Sequence, residues 1–253
     1  MKQNSERAPF QGTIDIVKFN SHQYASAASF CILALLVVYA FKLHFWIDAI
    51  LISLTVVVIF WTASSLVVSY LVYDKSPLYR ADWLREVIGE PPRAWANIHA
   101  GLDDFSERIA LSFGQPRHVW EIFDEKEMTE PSLRRAREIH GTAPGTHAES
   151  SALPCDDGSL DAIFLIFVAH ELRRRQTREE FFSELCRCMA PGARLVLVEH
   201  MRDVANFLAF GPGCCHFWPR KEWLRLAVGA GLSTEREMSI TPFVRAFVFR
   251  KAS

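Results

Sequence analysis

The sequence predicts an α/β domain with a mostly parallel sheet, carried behind a two-helix transmembrane hairpin. Three observations lead there. Two long uncharged runs lie near the N-terminus, strand-length apolar runs alternate with amphipathic stretches further on, and Pro91-Pro92 separates the two parts. The 253 residues are enough for one ordinary domain with an appendage. A net charge of −1 leaves no electrostatic case for nucleic acid as a partner. The six cysteines show no disulfide-like framework, so a reducing compartment is expected.

Residues 1–23 read as a mixed, polar cytoplasmic segment without the apolar core and cleavage site of a secretory signal. The hairpin follows over 24–73. Neither Tyr24 to Phe41 nor Ala49 to Tyr73 carries a charge, and each run can cross roughly 30 Å of hydrocarbon as a helix. Soluble helices keep a polar face, which these lack. The stretch KLHFWID joins them. Lys2, Arg7 and Lys18 precede the first span and Lys75, Arg80 and Arg85 follow the second, against Lys42 in the turn. The positive-inside rule then predicts a multi-pass protein of the inner (cytoplasmic) membrane, with both termini and the C-terminal domain cytoplasmic. Tyr70, Tyr73, Tyr79 and Trp83 read as aromatic anchors at that interface, and Asp48 as a boundary residue at the far one.

Residues 74–92 are a juxtamembrane helix and linker, and 93–253 form the large domain. Its strands are AWANIHA, HVWEIF, DAIFLIFVA, RLVLVEH, STEREMSI and FVRAFVFRK, the last two pairing antiparallel across Thr241-Pro242. Helices are read in DDFSERIALSF, EPSLRRAREIH, TREEFFSELCRCMA and RKEWLRLAVGAG. A continuous apolar strand such as AIFLIFVA is buried on both faces, as in a parallel sheet covered by helices, which makes the domain Rossmann-like. Asp104 and Glu107 suit a capping box at the start of the first of these helices. Arg173, Arg174, Arg175 and Arg178 fall in a loop after the fourth strand, as a solvated patch or a contact for anionic lipid head groups. The aromatic stretch from Met201 to Trp223 suits a lid or a bilayer contact. No metal is expected at Cys214-Cys215-His216. Adjacent cysteines chelate one tetrahedral ion poorly with the next residue, and no second ligand pair lies at ordinary spacing.

Leu153-Pro154, Asp157-Gly158-Ser159-Leu160-Asp161, the strand running to His170, Pro191-Gly192 and Glu199 form a recurring run. It resembles the second half of class I S-adenosylmethionine (SAM)-dependent methyltransferases. The resemblance covers roughly residues 93–250 and implies a seven-stranded sheet, SAM as cofactor and a methyl-transfer reaction. The family's first motif, an acidic residue followed by glycines, is atypical here. Asn97 stands at the acidic position, His99 at the first glycine, Gly101 at the second and Asp103 at the third. Asn97 would then meet the cofactor's ammonium, while Cβ atoms at His99 and Asp103 narrow its path. On that reading, replacing His99 and Asp103 by glycine tightens SAM and costs about 1 kcal/mol of stability. The resemblance gives Glu121, with Asp124 as rival, the ribose hydroxyls, and Glu149 the adenine amino group. Ala169 completes the cofactor edge. His170 and His200 end the fourth and fifth strands and are the catalytic candidates, with Glu171 placed to orient His170.

The leading functional expectation is a membrane-anchored methyltransferase acting on a lipophilic acceptor, such as a quinone, isoprenoid or lipid, at the cytoplasmic membrane face. Its partners would be the lipid bilayer and that small molecule. A second expectation is a catalytically degenerate subunit that supports a larger membrane protein complex, respiratory or photosynthetic, since fold does not dictate function. SAM chemistry other than methyl transfer is a third.

Overall fold

The computed structural model describes residues 8–80, 82–141 and 143–252. Lys2 and Arg7, two of the basic residues ahead of the first span, lie outside the described residues.

The segment ahead of the hairpin is not simply polar coil. It contains helix α1 (Gln11–Phe19), whose free N-terminal donors are satisfied from a distance. The Gly12 and Thr13 N–H groups donate to the Asp74 carboxylate at 2.8 and 2.9 Å, and Thr13 Oγ1 does so at 2.6 Å. A capping carboxylate 62 residues away leaves no local signature.

Helices α2 (Ser21–Phe41) and α3 (Phe45–Ser69) are joined by Lys42–His44 alone, with Lys42 left-handed at φ 42°. The turn is therefore shorter than KLHFWID, because Phe45 to Asp48 already belong to α3. Both helices are long and apolar enough to cross a membrane. Leu33, Leu36, Ile50 and Val56 are all more than half exposed, unlike the side chains of a soluble core helix. Tyr24 Oη and Ser65 Oγ, 3.0 Å apart, tie the pair. The second helix continues through a π-helical turn, Tyr70–Lys75.

A short 3₁₀ turn (Pro77–Arg80) leads into α4 (Asp82–Ile88), which lies against the domain. Trp83 is not an exposed interfacial anchor. It is 7% exposed, and its Nε1–H donates to the Leu78 carbonyl at 3.1 Å. Leu84, Val87 and Ile88 are buried beside it.

Among the described residues, seven strands form one sheet. They are β1 (Trp95–His99), β2 (His118–Glu121), β3 (Thr146–His147), β4 (Leu160–Ile166), β5 (Met189–His200), β6 (Leu232–Thr241) and β7 (Val244–Lys251). Their order is β3-β2-β1-β4-β5-β7-β6, with β7 antiparallel to both neighbours and parallel pairing from β3 through β5. Helices α5 (Ser106–Phe113), α6 (Pro131–His140), α7 (Arg175–Cys188), α8 (Val204–Phe210) and α9 (Arg220–Gly229) complete the domain. Strand β3 has two exposed residues, so no apolar pattern announces it. Strand β4 shows why the sheet is covered on both sides. Ile163 and Leu165 enter one core, while Ala162, Phe164 and Ile166 enter the other. The chain reverses direction across the sheet between β1 and β4, the place where such sheets open a ligand crevice at their carboxyl edge.

Two expectations are corrected by packing. Arg178 is only 3% exposed, not part of a solvated patch. It donates to the Leu172 carbonyl at 2.7 Å and to Glu222 at 2.8 Å, and its guanidinium lies 3.8 Å from the centre of the Trp218 ring. Cys155 and Cys188, read from the sequence as unconnected, bring their sulfurs together across a Cα separation of 6.3 Å. That pairing was not visible in the spacing, because it depends on the end of α7 meeting the loop before β4.

Candidate active site

The turn after β1 is held by its own side chains. Gly101 sits at φ 106°, a conformation that favours glycine. Its N–H donates to His99 Nδ1 at 3.1 Å, so His99 carries its proton on Nε2, which faces the Pro144 carbonyl at 3.3 Å. Asp103 Oδ1 accepts from Ser106 N at 2.9 Å, Phe105 N at 3.3 Å and Asn97 Nδ2 at 3.1 Å. Asn97 Nδ2 also donates to Ser106 Oγ at 2.9 Å. Asp103 therefore receives the first free N–H groups of α5, in place of the predicted Asp104, which accepts instead from Tyr79 Oη at 3.1 Å. Asn97 and His99 are each 2% exposed and brace the loop from behind. Asn97 Oδ1 remains a buried acceptor without a partner.

In front of this loop lies a cavity of about 840 Å³. Gly101, Asp103, Val168, His170, Glu171 and His200 line its domain side, and Phe19, Tyr24, Val58, Trp61 and Tyr73 its other side. His200 ends β5, while His170 lies not at the end of β4 but in the 3₁₀ turn Ala169–Glu171 that follows it, and both line the cavity. Ala169 is fully buried and gives the cavity wall to its neighbours. Glu149 is exposed and stands outside the cavity, in an isolated bridge to Ala152. Asp124 accepts from Lys126 N at 2.8 Å and closes a turn.

Glu121 ends β2 as expected but is already engaged. It is 6% exposed and forms an ion pair with Arg137 from α6. The Arg137 guanidinium also covers the Phe123 ring at 3.9 Å and lies against Gly101, where a side chain would collide with it. Arg137 thus fills the space between the loop and the β2 carboxylate.

The two histidines have opposite characters. His170 Nδ1 donates to the fully buried Glu199 at 2.7 Å, and its Nε2 lies 3.3 Å from Glu171. Burial alone would lower its pKa, but the carboxylates Glu199 and Glu171 outweigh burial and raise it to about 10. Glu171, despite its own burial, is driven well below the usual carboxylate range by His170 and His216. His200 has no carboxylate. Its Nδ1–H donates to the Phe243 carbonyl at 2.9 Å, so Nε2 accepts from Tyr73 Oη at 2.9 Å. Burial, then the charge on His170, lowers it to about 4, and it is neutral at pH 7. Phe167 and Phe217 stack on its two sides at 5.0 and 4.8 Å. Phe167 holds its ring there from a left-handed backbone, φ 57°, the kind of strain found at functional sites.

Residues 119–197 match the model of a family described as a methyltransferase domain. No match was found among curated protein sequences. A SAM-dependent methyltransferase from Aquifex aeolicus has a similar structure, at 18% identity and a TM-score of 0.52, over 70% of this chain and 93% of that one. The pyocyanin biosynthetic protein PhzM is similar at 15% identity and a TM-score of 0.55, over 95% of this chain and 73% of that one. At these identities the structural likeness is one of fold. Fold, sequence model and strand order agree. The domain has the fold of class I SAM-dependent methyltransferases, and part of it, residues 119–197, matches a methyltransferase-domain family.

A domain of this fold would offer SAM the backbone of its loop, the unpartnered Asn97 Oδ1 behind it, and Glu121 at the end of β2. Arg137 stands in the way as a flexible side chain that is 20% exposed, so these residues fit the cofactor once its guanidinium has withdrawn. Glu121 would then hold the ribose hydroxyls. The bound cofactor supplies an electrophilic methyl group. The His99 ring faces Pro144 and the Asp103 carboxylate is committed to α5, so both side chains hold the loop itself. Tyr73, Arg137 and His216 were not legible as site residues, because each is brought in from an element distant in sequence.

Proposed function

We propose that this chain is a membrane-anchored methyltransferase that modifies a lipophilic acceptor, such as a quinone, isoprenoid or lipid, at the cytoplasmic face of the inner membrane. One observation carries the reading. The cavity that holds His170 and His200 is walled on its far side by α1 and the apolar hairpin, so a molecule dissolved in the bilayer has an apolar surface leading toward the methyl donor. Exposed Val204, Phe207 and Leu208 on α8 extend the apolar surface beside α3, where Trp61 meets Phe207 edge-on at 5.6 Å. Basic Lys18, Lys75, Arg80 and Arg85 support the cytoplasmic orientation. Within the site, proximity supplies most of the rate of methyl transfer. Neutral His200 orients the Tyr73 hydroxyl at the cavity wall.

The ion pair between Glu121 and Arg137 favours a second reading, in which the domain has lost catalysis and supports a membrane protein complex. Membranes containing the intact chain, given SAM with a radiolabelled methyl group, separate the two. The first reading predicts label in the organic-extractable fraction above that of membranes lacking the chain. Label confined to water-soluble products, or no incorporation with a folded chain present, counts against it.

A further inference from the structure

Beside the methyl-transfer site, the cavity wall holds a second constellation of a different chemistry. His170, Glu171 and His216 each offer one ligand atom, and these atoms lie within 4.8 Å of one another. His170 Nε2 is 3.3 Å from Glu171 Oε1, and His216 Nε2 is 3.8 Å from the same oxygen. The other ring nitrogen of each histidine meets a carboxylate, Glu199 at 2.7 Å from His170 Nδ1 and Glu130 at 3.3 Å from His216 Nδ1. We propose that His170, Glu171 and His216 bind a divalent first-row transition ion in this cavity wall.

Four features converge on that assignment. Two imidazoles and one carboxylate are the donor set that suits such ions, with open positions left for other ligands. Carboxylates on the remote nitrogens of both rings are the outer shell that fixes tautomer and orientation in metal-ligating histidines. Glu171 is 7% exposed, and its Oε2 is buried without a hydrogen-bond partner within this cluster. Charge also fits. Glu171 and Glu199 flank His170, and Glu130 and Glu171 flank His216, so carboxylates stand ready to balance a divalent cation once it displaces the His170 proton.

The ligands are held in place by main-chain contacts rather than left on free loops. Arg173 Nη1 donates to the carbonyls of His170 at 3.1 Å and His216 at 2.7 Å, clamping the two ligand segments together. Trp218 Nε1 donates to the His170 carbonyl at 3.3 Å, and Arg202 Nη2 to the Cys215 carbonyl at 2.5 Å. This gives Arg173, after β4, a purpose apart from lipid. It also explains why the Cys214-Cys215-His216 stretch gave no metal signal by spacing, since the partners of His216, His170 and Glu171, lie far earlier in the chain, in the 3₁₀ turn after β4. An ion held there faces the same cavity as His200 and the loop after β1, where its open positions suit an oxygen of the acceptor. That last role rests on the proposed function, whereas ion binding itself does not.

The test uses the intact chain in lipid nanodiscs, free of any polyhistidine tag and stripped by chelator. Titration with Co²⁺, followed by its visible d–d absorption, and with Zn²⁺ by calorimetry, should show one ion per chain. His216→Ala, at a partly exposed position, and Glu171→Gln should each weaken binding by about 100-fold, and Glu199→Gln by about 10- to 100-fold. Joint replacement of Cys214 and Cys215 by serine should leave binding unchanged. SAM affinity of the same samples is measured separately, so a failed cofactor site and a failed metal site give different results. The proposal is overturned if the folded chain shows no saturable binding, if His216→Ala and Glu171→Gln bind as well as the parent, or if the cysteine pair proves to hold the ion.

Discussion

Replacing His99 and Asp103 together with glycine is expected to remove about 4 kcal/mol of folding stability, since hydrogen bonds to a charged partner contribute roughly 1.5–3 kcal/mol and a helix cap about 1 kcal/mol. The Asp103 carboxylate takes N–H groups from Asn97, Phe105 and Ser106; the two backbone groups lose this acceptor, and Asn97 keeps only Ser106 Oγ. His99 adds its bond from Gly101 N–H and a buried ring. Added backbone freedom contributes about 0.5–1 kcal/mol at each new glycine. The sequence motif alone had suggested a far smaller cost and a tighter cofactor site. Urea unfolding of the chain in nanodiscs, followed by tryptophan fluorescence, measures the difference. A loss of only about 1 kcal/mol accompanied by tighter SAM binding would restore the view that these side chains merely crowd the cofactor.

Arg137→Ala is expected to tighten binding of S-adenosylhomocysteine by roughly 10- to 100-fold, the equivalent of the 1.5–3 kcal/mol held in a charged hydrogen bond that the ligand no longer has to break. The free variant should at the same time be less stable, because Glu121 is left buried without its partner. The two readouts move in opposite directions, which separates this account from general loosening. The melting temperature of the free protein should fall while the shift produced by ligand grows. Unchanged or weakened binding would mean that Arg137 itself contacts the cofactor and is part of the working site.

The alternation of β1, β2, β4 and β5 with their helices was legible because buried parallel strands are continuous apolar runs and the amphipathic stretches between them are not. The antiparallel closing pair was legible from its short turn. Strand β3 was not, being two exposed residues paired to β2. Helix α1 was missed because its cap is Asp74, beyond both long apolar helices. In the site, strand ends located Glu121 and His200, whereas His170 lies beyond the end of β4 in the 3₁₀ turn Ala169–Glu171. What strand ends could not show is which side chain faces the cavity and which is consumed by the loop. Asn97 and His99 turned out to brace the turn, and Ala169 is buried one residue from the wall. Arg137, Tyr73 and His216 come from α6, the end of the hairpin and the segment after α8. Their roles follow from tertiary packing, which local pattern does not encode.

The most direct test of the account is calorimetric titration of S-adenosylhomocysteine into the unaltered intact chain in nanodiscs, with Glu121→Ala in parallel. The account predicts one saturable site per chain, weakened by about 1–3 kcal/mol in the variant through loss of the ribose acceptor. Absence of binding up to millimolar ligand by a folded chain, or equal affinity in parent and variant, would contradict a cofactor site at the end of β2.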